Sequence, residues 1–238
     1  MQIESYGMTD RGKVREENED AFLVDREHQL FAVADGLGGI PGGAEASQRS
    51  IDLLAQSAQQ ADLGSEGLDL AQVMIRINAS VAREGFENHP FTGNGSTLTI
   101  AHIVADTLRI GHVGDSAVYL LRSEKLDQLT IDHTQEQDWI DQHGEAARDQ
   151  MDPRLSHTLT QCIGQDFELR IDTKTLPLLV GDQLLLCTDG LNKVLADATM
   201  RAVLQKSPTP ESACRELIQL ANENEGPDNI TALVVRIS

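Results

Sequence analysis

Short apolar runs, each closed by a turn signal, mark the first third of the chain. Residues 19 to 25 and Leu30-Phe31-Ala32-Val33-Ala34 predict two strands, the second ending at Asp35. Beyond Gly36-Leu37-Gly38-Gly39-Ile40-Pro41-Gly42-Gly43, the positions Ser47, Ile51, Leu54, Ala55 and Ala58 fall on one helical face, small or apolar along its length. Leu70, Val73, Met74, Ile77 and Val81 repeat at the same spacing and predict a second helix.

Between 96 and 121 the pattern changes. Thr97-Leu98-Thr99-Ile100, Leu108-Arg109-Ile110 and Ala117-Val118-Tyr119-Leu120-Leu121 are rich in β-branched and apolar residues with turns between them, and they predict an antiparallel meander. Residues 135 to 158 are polar and acidic, as in a helix followed by an irregular exposed flap. Leu184-Leu185-Leu186-Cys187 reads as a buried strand. Thr209-Pro210-Glu211 opens a last helix with a cap residue and a proline at its first position. Ala213, Cys214, Leu217, Ile218 and Ala221 give that helix its buried face. Gly226-Pro227 breaks it, and Ile230-Thr231-Ala232-Leu233-Val234-Val235 closes the chain as a strand. With no repeat, low-complexity stretch or linker, these elements predict one α+β domain over residues 1–238, sheets carrying helices on their outer faces. The variable flap falls around 136–165.

Composition narrows the functional classes. The 40% hydrophobic and 24% charged content of the 238 residues suits a packed soluble domain. A net charge of −19 argues against nucleic-acid and anionic-membrane partners, which demand a basic surface. Cys162, Cys187 and Cys214 are widely spaced and odd in number, so reduced buried thiols are expected rather than a disulfide framework. The opening Met1-Gln2-Ile3-Glu4 has no basic-then-apolar leader pattern and no apolar run reaches membrane-spanning length, so a cytoplasmic location is expected.

Candidate chemistry lies in aspartates at predicted strand ends: Asp35 before Gly36, Asp115 after Gly114, Asp189 before Gly190, and Asp228 ahead of the last strand. Singly, each is an ordinary Asp-Gly or turn residue. Converging, carboxylates roughly 4 Å apart would repel by about 4 kcal/mol per pair at an effective dielectric near 20, and a cation must offset that. Oxygen-only ligands favour a hard divalent ion over zinc, and no H-E-x-x-H pattern occurs among the 7 histidines.

The order of these motifs resembles the PP2C (PPM) family of metal-dependent Ser/Thr protein phosphatases, in its bacterial stand-alone form. The resemblance rests on Arg15-Glu16-Glu17-Asn18-Glu19-Asp20, Val33-Ala34-Asp35-Gly36-Leu37-Gly38-Gly39, Gly95-Ser96-Thr97-Leu98 and Gly114-Asp115-Ser116. It continues through Thr130-Ile131-Asp132-His133-Thr134, Thr188-Asp189-Gly190-Leu191 and Asp228-Asn229-Ile230-Thr231, and so runs from about residue 7 to the C-terminus.

The resemblance implies an αββα four-layer sandwich of two antiparallel sheets flanked by helices, with a binuclear Mn²⁺ or Mg²⁺ centre at one end. Asp35 is expected to bridge both ions, Asp189 and Asp228 to complete one, and the Gly36 carbonyl to bind the other. Glu19 and Asp20 are expected to hold metal-bound waters. A bridging hydroxide would attack phosphorus in line. Arg15 is expected to clamp the phosphate, where a guanidinium matches its oxygens. Asp115, with Asp189, is expected to hold a third, weaker ion. The implied partners are phosphorylated proteins, including a Ser/Thr kinase or its targets, and the implied state is a monomer.

Two positions depart from the family. Leu37 stands where animal relatives often carry a leaving-group acid, and Thr160-Gln161-Cys162-Ile163-Gly164 differs from the usual Thr-Arg-Ala-Leu-Gly. Thr134-x-x-Gln137 reads as a capping box, which assigns Asp132 and His133 to a helix start rather than to chemistry. A nucleotide-binding turn at 30 to 58 is disfavoured because Asp35 would repel pyrophosphate. A haloacid-dehalogenase-like site lacks its second Asp, since Val33 and Cys187 hold those places. The alternative from another class is a catalytically weak or inactive member acting as a binding or sensing module.

Overall fold

Continuous apolar runs along the central strands give each of them two faces to bury, and the fold follows from covering both. In the computed structural model, residues 1–39, 41–61, 67–152 and 155–238 are described; Ile40 of the glycine loop and residues 153–154 of the expected flap lie outside them. One sheet holds, in spatial order, β1 (Ile3–Asp10), β10 (Ile230–Ile237), β9 (Gln183–Cys187), β6 (Ala117–Arg122) and β7 (Lys125–Gln128). The other holds β2 (Asp20–Asp25), β3 (Leu30–Asp35), β4 (Leu98–Val104), β5 (Thr107–Val113) and β8 (Asp172–Pro177). Every pairing is antiparallel.

Phe31, Val33, Ala101 and Ile103 of the second sheet meet Val118, Leu120, Leu184, Leu186, Leu233 and Val235 of the first, forming the central core. The alternate residues Leu30, Ala32, Leu98 and Ile100 face outward onto α1 (Gly43–Gln60) and α2 (Leu70–Asn88). Leu185, Cys187, Ala232 and Val234 face outward onto α5 (Asp197–Lys206) and α6 (Pro210–Glu223). This double burial explains why Leu184 to Cys187 is a continuous apolar run instead of an alternating one. Truncating fully buried Leu186 to alanine should cost about 2–5 kcal/mol.

The helix caps match their residues. Thr209 and Ser212 form a reciprocal capping box at α6, with Pro210 at its first position. Thr134 caps α3 (Gln135–His143) by accepting from the Gln137 N–H. The Gln137 side chain does not return the bond; its amide donates to Asp141 instead, at 2.8 Å. Thr134 therefore acts as a simple cap.

The expected meander is corrected. β4 and β5 pair as a hairpin, but β6 crosses to the other sheet, where it lies between β9 and β7. Gly114 makes the crossover with φ +109°, a conformation that disfavours any side chain, and a Cβ there would strike Thr97. That switch carries Asp115 into the space at the end of the two sheets.

Candidate active site

Sequence-adjacent strands bring the first carboxyls together. Asp20 and Asp35 are register partners at the end of the β2–β3 pair, where directly opposed like charges repel. Asp35 is fixed by its backbone: its N–H donates to Thr97 Oγ1 at 2.9 Å, and its carbonyl accepts from the Thr97 N–H at 2.8 Å. Thr97 Oγ1 also lies 2.7 Å from Ser116 Oγ, linking the Asp35 strand end to the Asp115 crossover. Asp189 opens the short α4 (Asp189–Asn192) directly after β9, and Asp228 stands two residues before β10.

Asp20 is buried and held by two hydroxyls. Its Oδ2 accepts from Thr188 Oγ1 at 2.8 Å and from Thr231 Oγ1 at 2.6 Å, while its buried Oδ1 has no hydrogen-bond partner. A buried carboxylate oxygen without a donor is costly unless a proton or a cation reaches it. Burial and the neighbouring charges of Asp189 and Asp228 push the Asp20 carboxyl up to about 7, against the two hydroxyl donors. Burial, then Asp189, pushes Asp115 up to about 8. Asp35 is held well above the carboxylate range by burial and by Asp20, Asp189, Asp115 and Asp228, and Asp189 is raised by burial and Asp228. Asp35 and Asp189 keep some solvent contact, so their carboxyls are crowded by protein without being sealed in.

Beside Asp228 lies the guanidinium of Arg15. Arg15 Nη2 donates to Asp228 Oδ2 at 2.8 Å, and both side chains remain partly open, 40% and 31% exposed, so the pair can part. Arg15 also acts electrostatically on Asp35 and Glu19. Gly38 lets it lie there, since a Cβ at that glycine would come within 2.6 Å of Arg15 Nη1. The Glu19 carbonyl accepts from the Gly36 N–H at 3.1 Å, and its own N–H donates to Asn229 Oδ1 at 2.9 Å. Leu37 carries no proton to donate; its N–H bonds the Gly95 carbonyl at 2.9 Å. The charged residues singled out from the motifs, Arg15, Glu19, Asp20, Asp35, Asp115, Asp189 and Asp228, thus lie in one network of mutual electrostatic influence, with Gly36 bonded to Glu19.

Residues that the motif reading left without a role build the support. Buried Asn229 donates to the carbonyls of Arg11 and Glu17, both at 2.9 Å, pinning the segment that carries Arg15 and Glu19. Thr188 and Thr231 hold Asp20. All three stand inside quoted motifs, beside Asp189 and Asp228, and the signal was their hydroxyl and amide chemistry next to an acid. Asp132 and His133 are likewise not confined to a helix start. The His133 N–H donates to the Gly114 carbonyl at 2.8 Å, and Asp132 pairs with Lys193 at 2.7 Å. At the flap's end, Gln161 Oε1 accepts from the Arg170 N–H at 2.8 Å and from Gln165 Nε2 at 3.0 Å, so this departure serves local anchoring.

The donor set fits a hard divalent cation: carboxylates and a backbone carbonyl, with an unpartnered buried Asp20 oxygen and repelling neighbours that a cation would satisfy. No three of these side chains, among the described residues, stand gathered in ligating geometry as they lie; Asp35 hydrogen-bonds Asp189 instead.

A four-layer sandwich ending in such an oxygen-only cleft marks the class of metal-dependent phosphatases. The model for protein phosphatase 2C matches residues 11–233. The chain is 31% identical to the serine/threonine phosphatase stp of Listeria innocua, over 95% of this chain and 93% of that one. Among solved structures it superposes on PppA, a key regulatory component of T6SS in Pseudomonas aeruginosa, with TM-score 0.87 and 32% identity over 99% and 98% of the two chains. It superposes equally on the catalytic domain of the serine/threonine protein phosphatase PstP in complex with two manganese ions, with TM-score 0.84 and 32% identity over 99% of each chain. The chain belongs to the protein phosphatase 2C family. Among the described residues no helix is long and apolar enough to cross a membrane.

Proposed function

We propose that this metal-dependent protein phosphatase hydrolyses phosphoserine and phosphothreonine monoesters in the cleft between Arg15 and Asp115, working as one domain. The observation that carries this reading is the buried, half-satisfied Asp20 beside Asp35, Asp189 and Asp228, an arrangement that cations complete. Asp35, Asp189, Asp228 and the Gly36 carbonyl would hold two Mn²⁺ or Mg²⁺ ions, with Glu19 and Asp20 ordering their waters. Asp115 with Asp189 would hold a third, weaker one. Bound divalent ions supply Lewis acidity and bring the pKa of water from 15.7 to about 7.

The chain's own residues do the rest. Arg15 exchanges Asp228 for the substrate phosphate, whose oxygens its planar fork matches. Thr188 and Thr231 orient Asp20 toward the centre, and Asn229 fixes the Arg15–Glu19 segment against β10. Leu37 offers no proton to the departing alkoxide, so that proton comes from elsewhere in the cleft. The substrates are cytoplasmic phosphoproteins, a Ser/Thr kinase or its targets among them, and the enzyme acts as a monomer.

Phosphate release from a phosphothreonine peptide, with Mn²⁺ and then with excess chelator, tests the reading. Turnover that stops on chelation and in a folded Asp35→Asn variant is expected. Full turnover in chelator, or none from the folded metal-loaded wild type, overturns it, the second outcome favouring a binding module.

A further inference from the structure

Lys193 is the residue after α4, and its N–H donates to the Asp189 carbonyl at 2.9 Å, so its position is tied to that aspartate's. Its ammonium reaches Asp132 Oδ2 at 2.7 Å. Asp132 is itself held: Gln128 Nε2 donates to its other oxygen at 2.9 Å, and the neighbouring His133 is bonded to Gly114 through both its backbone N–H and its ring Nδ1. Gly114 precedes Asp115. Two independent backbone tethers therefore bring the Lys193–Asp132 pair to the side of the cleft formed by Asp115 and Asp189.

This pair differs from an ordinary surface ion pair. The side chains are only 30% and 16% exposed, so water screens them poorly. Lys193 also lies close enough to Asp115 and Asp189 to favour the charged form of each, while Asp132 works against Asp115. One ammonium thus faces three carboxyls, and only Asp132 is bonded to it.

We propose that Lys193, held in place by Asp132, is a built-in cation for the Asp115 and Asp189 carboxyls and sets how readily a weak divalent ion binds between them. This rests on the reading above that Asp115 and Asp189 form the weaker site. A fixed ammonium offsets part of the carboxyls' repulsion without an ion, and it repels an incoming one. The weaker site then fills only at high metal concentration, while the tight pair shares only Asp189 with it and is held besides by Asp35, Asp228 and the Gly36 carbonyl. Lys193 is a positioning residue here, acting through Asp115 and Asp189.

The test uses the full chain as wild type, Lys193→Met and Lys193→Arg. In calorimetric titrations with Mn²⁺, Lys193→Met should tighten the weaker step about tenfold or more and leave the tight steps in place, as expected when a like charge is removed from an ion site. Lys193→Arg should stay near wild type. A merely structural role predicts no tightening. The second arm needs no ion: in excess chelator, Lys193→Met should lower Tm, and should lower it less in an Asp115→Asn background, where only Asp132 and Asp189 lose their cation. An unchanged weaker step together with the same Tm loss in both backgrounds overturns the proposal. If neither wild type nor variant has a weaker step, the ion reading of Asp115 fails by itself. The coupling of Lys193 to Asp115 in the chelator arm then decides the lysine's role, its absence overturning it.

Discussion

Arg15 Nη2 donates to Asp228 Oδ2 at 2.8 Å, which joins the expected phosphate clamp to an expected metal ligand. If Asp228 turns toward a cation, the guanidinium is freed for a phosphate, and metal and substrate binding should then reinforce one another. Arg15→Ala should raise KM about 10- to 100-fold with a smaller change in kcat, the loss of a charged hydrogen bond worth about 1.5–3 kcal/mol. Asp228→Ala should chiefly lower kcat, by about 10²–10³, as when a preorganised electrostatic group is removed. Steady-state kinetics on a phosphopeptide check this; parallel losses in both parameters for both variants contradict it.

The buried acids set a pH dependence for the metal-free protein. Asp20 and Asp115 titrate near 7 and near 8 when folded, against 3.8 for an ordinary aspartate, so between those values the folded state binds more protons than the unfolded one. Stability then falls as pH rises through that range, by up to about 1.4 kcal/mol per pH unit for each group. His102 and His112 act in the opposite sense. Burial lowers each to about 4 from 6.5, so they destabilise as pH drops below 6.5. The signs oppose between 4 and 6.5, leaving pH 6.5 to 8 as the window where the acids act alone. Thermal melts in chelator should lose Tm across it, and saturating Mn²⁺ should flatten or reverse the slope. A rising Tm in chelator would contradict the carboxyl assignment.

Thr188 and Thr231 offer a test of the support beneath Asp20. Replacing either with valine keeps the shape and removes a hydroxyl donor to Oδ2, in a carboxylate whose Oδ1 already lacks one. Mn²⁺ affinity should fall about 10- to 100-fold, the range typical of lost outer-shell partners. Calorimetry decides it. Unchanged Mn²⁺ affinity in both variants would mean that Asp20 does not face the ions.

How far the sequence could be read depended on the strength of each local signal. The central strands and α1, α2 and α6 were legible because both faces or one stripe are apolar, as at Leu184 to Cys187 and at Val73, Met74 and Ile77. β1, β7 and β8 were not: they are edges of their sheets, and polar runs such as Thr173-Lys174-Thr175 carry little alternation. The crossover at Gly114 was hidden because β5 and β6 look alike locally; which sheet a strand joins is a long-range choice that no local period encodes. The charged residues of the cleft were legible as motifs, since each acid sits in a distinctive short context. Asn229, Thr188 and Lys193 act through partners distant in sequence, Asp132 being 61 residues from Lys193, so the polar chemistry beside an acid hints at a role while the partner has no local signature.

Asp115 separates a functional crossover from a plain turn. It is 5% exposed, and its carboxyl is pushed up by burial and by Asp189, so the residue sits against another acid rather than facing solvent as a turn aspartate does. A site with few protein carboxylates keeps several waters and binds weakly, and it should fill after the pair of ions at Asp35. Asp115→Ala should retain two tight Mn²⁺ steps, lose the weaker step, and show strongly reduced kcat, most of all on a phosphopeptide whose alkoxide leaves poorly. Its metal-free form should melt no lower than wild type, since an acid raised by its neighbours is removed. A structural turn predicts the reverse, a lowered Tm with near-normal turnover per folded molecule. Calorimetry and kinetics on the same preparations distinguish the two: an unchanged weaker step with unchanged kcat would return Asp115 to the turn.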